Sequence, residues 1–259
     1  MVSSISLLGF SFHLYGLIIG VALVVSLQLA YAQLRKLYSV SENGFYTAFS
    51  IVILAAVIGA RAWHVATDYL TYTENWITAL YVWNGGLSIF GALVVGAAAL
   101  LAVKWFYFRS VPHLVLFDVA ALVFPFGQSI GRWANFVNQE LYGLPTTLPW
   151  GIYIDTQHRI PGYETFSKFH PLFLYESICM ALFGLFLLGV KKKHPVGTGV
   201  LTWYTIIFYA LLRFFLDFLR IDTPRVFYGM GINQSMLLFF LILLGTFYLK
   251  RKYVGKKKN

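Results

Sequence analysis

Apolar runs of membrane-spanning length recur along the chain, broken by short polar or basic connections. A bilayer needs about 20 apolar residues per helical span. On that measure the pattern predicts seven spans, at roughly 13–34, 45–66, 85–106, 114–135, 171–190, 199–219 and 232–250. The expected architecture is an all-α integral membrane protein, a single polytopic domain over residues 1–259. Its one long connection, residues 144–170, is rich in Pro and Gly and reads either as a lid over a site or as a plain loop. The stretch from Met1 to Phe10 has no basic n-region, and the run after it is too long for a signal h-region. It reads as the start of a retained first span.

Polar residues inside these runs are few and ordered. Span 2 carries Arg61, His64 and Asp68 on one face, with His64 and Asp68 spaced for a hydrogen bond that would orient the ring. Span 6 carries Tyr209, Arg213, Asp217 and Arg220 on one stripe, extended by Thr202 and Thr205. At the end of span 4 and just beyond it lies the densest polar stretch, Gly131-Arg132-Trp133-Ala134-Asn135-Phe136-Val137-Asn138-Gln139-Glu140-Leu141-Tyr142-Gly143. On a helix, Arg132, Asn135, Gln139 and Glu140 would share an arc of about 140°, with Asn138 outside it. A charge at membrane depth costs about 2.5–3.5 kcal/mol on insertion scales, so such residues face protein, water or a partner.

Composition and charge sharpen this picture. The chain is 59% hydrophobic and 12% charged, against about 25% charged in soluble domains. The net charge of +10 would suggest nucleic acid in a soluble protein. Here the basic residues cluster between spans, so no nucleic-acid partner is expected. One set of connections and span ends holds 13 Lys and Arg, including Lys191, Lys192, Lys193 and the tail from Arg251, whereas the other set holds 4. The positive-inside rule then places the N-terminus outside and the C-terminus in the cytoplasm. In that orientation Tyr15, Arg61, His64, Arg132, Tyr209, Arg213 and Asp217 all fall in the outer half of the bilayer. The single cysteine, Cys179, reads as a packing residue, and one Cys with scattered His gives no metal-ligand spacing.

Each constellation has a plain and a functional reading. Span 6 is either a structural Arg–Asp pair or an anion site, where guanidiniums present forks suited to phosphate oxygens. Arg132 from another span favours the anion site. His64 is either a packed ring or a catalytic base. Glu176, near the start of span 5, reads first as a carboxylate stabilising a helix dipole, and second as a polar ligand. The Gly-rich segment Trp83-Asn84-Gly85-Gly86-Leu87-Ser88-Ile89-Phe90-Gly91 at the entry to span 3 reads as close helix packing or as backbone approaching a lipid headgroup.

The polar stretch also resembles the signature of the bacterial prolipoprotein diacylglyceryl transferases. Gly131-Arg132, Asn135-Phe136, Asn138, Glu140 and Gly143 match it across thirteen positions. The resemblance extends to Tyr15-Gly16, Gly59-Ala60-Arg61, Gly85-Gly86-Leu87, His170-Pro171, Tyr175-Glu176, and Tyr209 with Arg213. It implies seven spans and transfer of the diacylglyceryl group of phosphatidylglycerol to the lipobox cysteine of a prolipoprotein signal peptide, with release of glycerol 1-phosphate. The expected location is the bacterial cytoplasmic (inner) membrane, with no cofactor and no metal. It implies substrate contacts from Arg132, Asn135, Asn138, Glu140, Gly143, Tyr209, Arg213, Asp217 and Arg61. The catalytic expectation is Arg132 and Arg213 on the phosphate, Tyr15 as a donor, and His64 as base. Alternatively the arginine field alone lowers the thiol pKa. The chain departs from the pattern at Phe90, where many members have a histidine, and at Asp217, where many have a glutamate. The rival expectations are a non-catalytic relative that binds anionic lipid or a lipoprotein signal peptide and, behind it, an anion transporter. Transporters usually show inverted repeats and broken helices at mid-depth, whereas no repeat is evident here and the polar groups lie outward of the middle.

Overall fold

A computed structural model describes residues 4–7, 10–73, 75–82, 86–222, 225–227, 230–231 and 234–235. Its helices are α1 (Leu14–Tyr38), α2 (Glu42–Thr67), α3 (Ile89–Tyr107), α4 (His113–Val137), α5 (Leu172–Lys193) and α6 (Val200–Leu216). Among the described residues, six helices are long and apolar enough to cross a membrane, the last continuing to Leu219. They coincide with the first six expected spans. Of the seventh, only Gln234 and Ser235 lie within the described residues. Short antiparallel pairs accompany the helices: β1 (Ser4–Leu7) with β2 (Phe10–His13), β3 (Ile152–Tyr153) with β4 (Lys168–Phe169), and β5 (Arg225–Phe227) with β6 (Met230–Gly231).

The chain forms two compact units, Met1–Ala30 with His113–Asn259, and Tyr31–Pro112. In the first, α4 packs against α5 and α6 around Ala121, Leu122, Phe183, Leu187 and Leu201. Phe183 and Phe208 stack at 3.9 Å and 1°. Pro125 lies inside α4 and brings no N–H to the Ala121 carbonyl. Thr205 of α6 supplies the donor instead, its hydroxyl 3.2 Å from that oxygen. Unpaired backbone groups are costly in lipid, so this bond lets a proline persist in a spanning helix. At the other end of α4, the fully buried Asp118 accepts from the N–H groups of Gly197, Gly199 and Thr202 and from the Thr202 hydroxyl, at 2.7–3.0 Å. It caps α6 from a neighbouring helix, satisfying donors that the first turn cannot pair internally.

Residues 144–170 form a small cap of their own. Tyr142, Ile154 and Phe169 make its core, with Ile152, Ile160, Tyr163 and Ile221 around them. Burial pushes the Tyr142 phenol above its usual value. Its hydroxyl donates to the His158 carbonyl and accepts from the Ile160 N–H, both at 2.8 Å.

In the second unit α2 and α3 meet at two glycines. A Cβ on Gly59 would lie 2.6 Å from the Gly91 carbonyl oxygen, so the backbones touch directly. At its other end Phe45, Phe49, Phe108 and Tyr31 form an aromatic cluster.

Candidate active site

The polar stretch is not one helix. Helix α4 ends at Val137, and Gln139 and Leu141 follow with φ of 52° and 54°. Left-handed backbone is uncommon for any side chain but glycine and costly for a bulky one. What holds it is a reciprocal pair: the Gln139 amide donates to Asp155 Oδ2 at 2.5 Å and accepts from the Asp155 N–H at 2.6 Å. Gln139 is therefore buried under the cap rather than sharing an arc with Arg132. The turn sends Glu140 back toward α4, where its Oε1 accepts from Asn135 Nδ2 at 2.8 Å. Asn138 is exposed just beyond the helix end. Gly143 sits where chains cross, its N–H on the His170 carbonyl at 2.9 Å. A Cβ there would lie 2.9 Å from the Leu219 carbonyl oxygen.

Arg132 and Arg213, from α4 and α6, meet on one carboxylate. Glu176 of α5 accepts from Arg132 Nη2 at 2.7 Å and from Arg213 Nη1 at 3.1 Å, and only 2% of it is exposed. Arg132 Nη1 donates to Asn135 Oδ1 at 3.2 Å, while its Nε is buried with no hydrogen-bond partner. Asp217 lies between Arg213 and Arg220, 3.8 and 3.7 Å from their nitrogens, its oxygens making no hydrogen bond. Arg220 also pairs with Asp222, to which its Nε donates at 2.7 Å. The expected dipole role for Glu176 gives way to a bridge between two guanidiniums. The residue lies beyond the first turn of α5, where the helix-end field has faded.

Two cavities adjoin this cluster. One, of about 890 Å³, is lined largely by apolar residues of α1, α4 and α6, with Tyr15, Arg132, Asn135 and Glu140 among its polar lining. It follows α4 from Phe117 to Arg132, about 22 Å at the helical rise. The other is a slot of about 10 Å³ between Arg132, Glu176, Arg213 and Arg220, room for about one water molecule. Tyr209 packs edge-on against Phe124, ring centroids 5.2 Å apart.

Arg61 and His64 belong to the other unit. The Arg61 guanidinium binds backbone: Nε to the Ala79 carbonyl at 2.6 Å, Nη2 to Thr78 at 2.8 Å and Nη1 to Gly86 at 3.0 Å. It also lies over the Tyr72 ring at 5.2 Å. Arg61 thus holds the connection before α3. His64 meets Tyr72 edge-on, centroids 6.1 Å apart. The expected side-chain bond to Asp68 does not form. Asp68 caps α2 through its backbone N–H, on the His64 carbonyl at 2.9 Å, and its side chain is exposed. Gly85 lies outside the described residues, and the Ser88 N–H two residues after Gly86 donates to the Ala60 carbonyl at 3.0 Å. Phe90 is exposed beside Trp63.

Asp118 is absent from the expected site residues, although an acid within an apolar run is by itself a signal. Glu176 had a signal too: several arginines inside apolar runs need a carboxylate.

These features define a multi-pass membrane protein with a buried arginine–carboxylate cluster at the end of an apolar cavity. The family model for prolipoprotein diacylglyceryl transferase matches residues 3–250, and the chain belongs to that family. The relatives that bear the name phosphatidylglycerol–prolipoprotein diacylglyceryl transferase include the following three. That of Parasynechococcus marenigrum is 38% identical over 256 residues, covering 92% of this chain and 90% of its own. That of Synechocystis sp. is 33% identical, covering 92% and 84%. That of Cutibacterium acnes is 35% identical, covering 81% and 71%.

Proposed function

We propose that this protein transfers the diacylglyceryl group of phosphatidylglycerol to the lipobox cysteine thiol of prolipoproteins and releases glycerol 1-phosphate. The observation that carries the reading is the meeting of Arg132 and Arg213 beside a long apolar cavity, in a chain of this family. The cavity suits acyl chains, and the guanidiniums at its end suit a phosphate. The protein works in the bacterial cytoplasmic membrane with seven spans, the N-terminus outside and the site in the outer half, where an exported signal peptide emerges.

The thiolate is the nucleophile. It attacks the glycerol carbon bearing the phosphate ester, so a C–S bond forms as the C–O bond breaks, and the phosphate monoester leaves with the electron pair. Arg132 and Arg213 hold the phosphate and meet its growing charge. Asn135 and Glu140 position Arg132 and the headgroup glycerol, with Asn138 and Gly143 shaping that turn. Tyr15 and Tyr209 act as donors, and Asp217 orients Arg213. His64 takes the thiol proton, or the arginine field lowers the thiol pKa so that the proton passes to water. An unchanged pH–rate profile in His64→Asn would select the second route.

The test is the mass of a lipobox peptide incubated with the purified protein and phosphatidylglycerol. The proposal predicts a gain of one diacylglyceryl unit and release of glycerol phosphate. Because Phe90 stands where many members of the family have a histidine, the alternative is a relative that binds the lipid without turning it over. Lipid binding with no gain in peptide mass would establish that reading instead.

A further inference from the structure

Glu176 stands on the donors that a substrate phosphate needs. Its two carboxylate oxygens each take one guanidinium, Arg132 at 2.7 Å and Arg213 at 3.1 Å, in the way two phosphate oxygens would. The slot between these groups, about 10 Å³, admits no phosphate while the carboxylate stays in place. Arg132 alone of the two arginines also lines the large cavity, and its buried Nε has no partner. A headgroup arriving through that cavity therefore meets Arg132 first, and reaches the Arg213 nitrogen held by Glu176 only by displacing that carboxylate.

We infer that Glu176 is a resident counter-anion, which the lipid phosphate displaces from the arginines and which returns to help release the phosphate product. This deepens the proposed transfer reaction and rests on it. A phosphodiester carries one negative charge, and the monoester product carries about 1.5–2 at pH 7. The product would be held more tightly than the substrate by bare guanidiniums and would stall turnover. A carboxylate fixed on α5, one helix away from either arginine, competes for both with no diffusional step. Glu176 does not touch the reacting atoms in this scheme. It is a positioning residue that sets how strongly the arginines hold phosphate before and after transfer.

The test compares wild type and Glu176→Gln in full-length protein, with phosphatidylglycerol as donor, a lipobox peptide as acceptor and glycerol 1-phosphate as inhibitor. The neutral amide keeps the shape and weakens the competition. Expected for Glu176→Gln are a KM for phosphatidylglycerol and an inhibition constant for glycerol 1-phosphate each lower by about tenfold, with a reduced kcat as release slows. A merely structural Glu176 would give a raised KM and no tighter product inhibition. An unchanged or weaker inhibition constant, in a variant that unfolds at the wild-type temperature, overturns the inference. Should Glu176→Gln not fold, Glu176→Asp keeps the charge on a shorter arm and predicts the same direction with a smaller effect, and the same null result counts against it. Absence of transfer by wild type would instead refute the proposed reaction itself.

Discussion

Arg132 works in two directions, toward Glu176 with one nitrogen and toward Asn135 with another. A lysine keeps the charge but offers one point where the fork offers several. Arg132→Lys is expected to lower kcat/KM by about 10²–10³-fold, read from peptide lipidation rates; wild-type rates would refute bidentate recognition of phosphate. Beside it, the Gln139 amide holds the Asp155 carboxyl below its usual range, against the opposing effect of burial. A depressed carboxylate stabilises the fold above its unfolded value, near pH 4, and that contribution is lost as pH falls through the folded value. Limited proteolysis of residues 138–160 between about pH 3 and 6 is expected to show protection failing on the acid side, and Gln139→Ala to remove that dependence. Arg132 was readable from sequence, because a guanidinium in an apolar run demands a partner. Which partner was not readable, since Glu176 lies 44 positions away and only the packing of α4 on α5 joins them.

The six helical segments were legible because hydrophobic length and basic ends mark them directly, and the expected bounds fall within a few residues of the helices. The end of α4 was not. Arg132, Asn135, Gln139 and Glu140 fit a helical arc on paper and Asn138 does not, but the pairing of Gln139 with Asp155 lies beyond any local pattern. The four-donor cradle at Asp118 is equally non-local, joining α4 to a turn about 80 positions on. Asp118→Ala would leave those donors in an apolar surround and is expected to cost about 2 kcal/mol or more. Thermal unfolding in detergent and amide exchange over residues 197–204 would show it; wild-type protection there would mean that α6 needs no such cap.

Over the whole molecule, charge and hydrophobicity divide the labour. Basic connections flank helices apolar enough to cross a membrane, and a few polar side chains are gathered where α4, α5 and α6 meet. Buried ion pairs are costly to assemble, several kcal/mol per ion, and a packed apolar interface would be cheaper. Their presence beside a cavity is explained by a task rather than by stability. In a variant with Cys179→Ser, a cysteine at Gln157 is expected to react with an impermeant thiol reagent applied outside the cell, and one at Ser39 to be protected. The reverse pattern would invert the orientation proposed here. The most direct test of the central claim is a structure of the protein with phosphatidylglycerol bound. Phosphate oxygens are expected within about 3 Å of guanidinium nitrogens of both Arg132 and Arg213, with the acyl chains in the cavity along α4. A headgroup lodged elsewhere, with Arg132 and Arg213 still closed on Glu176, would contradict it.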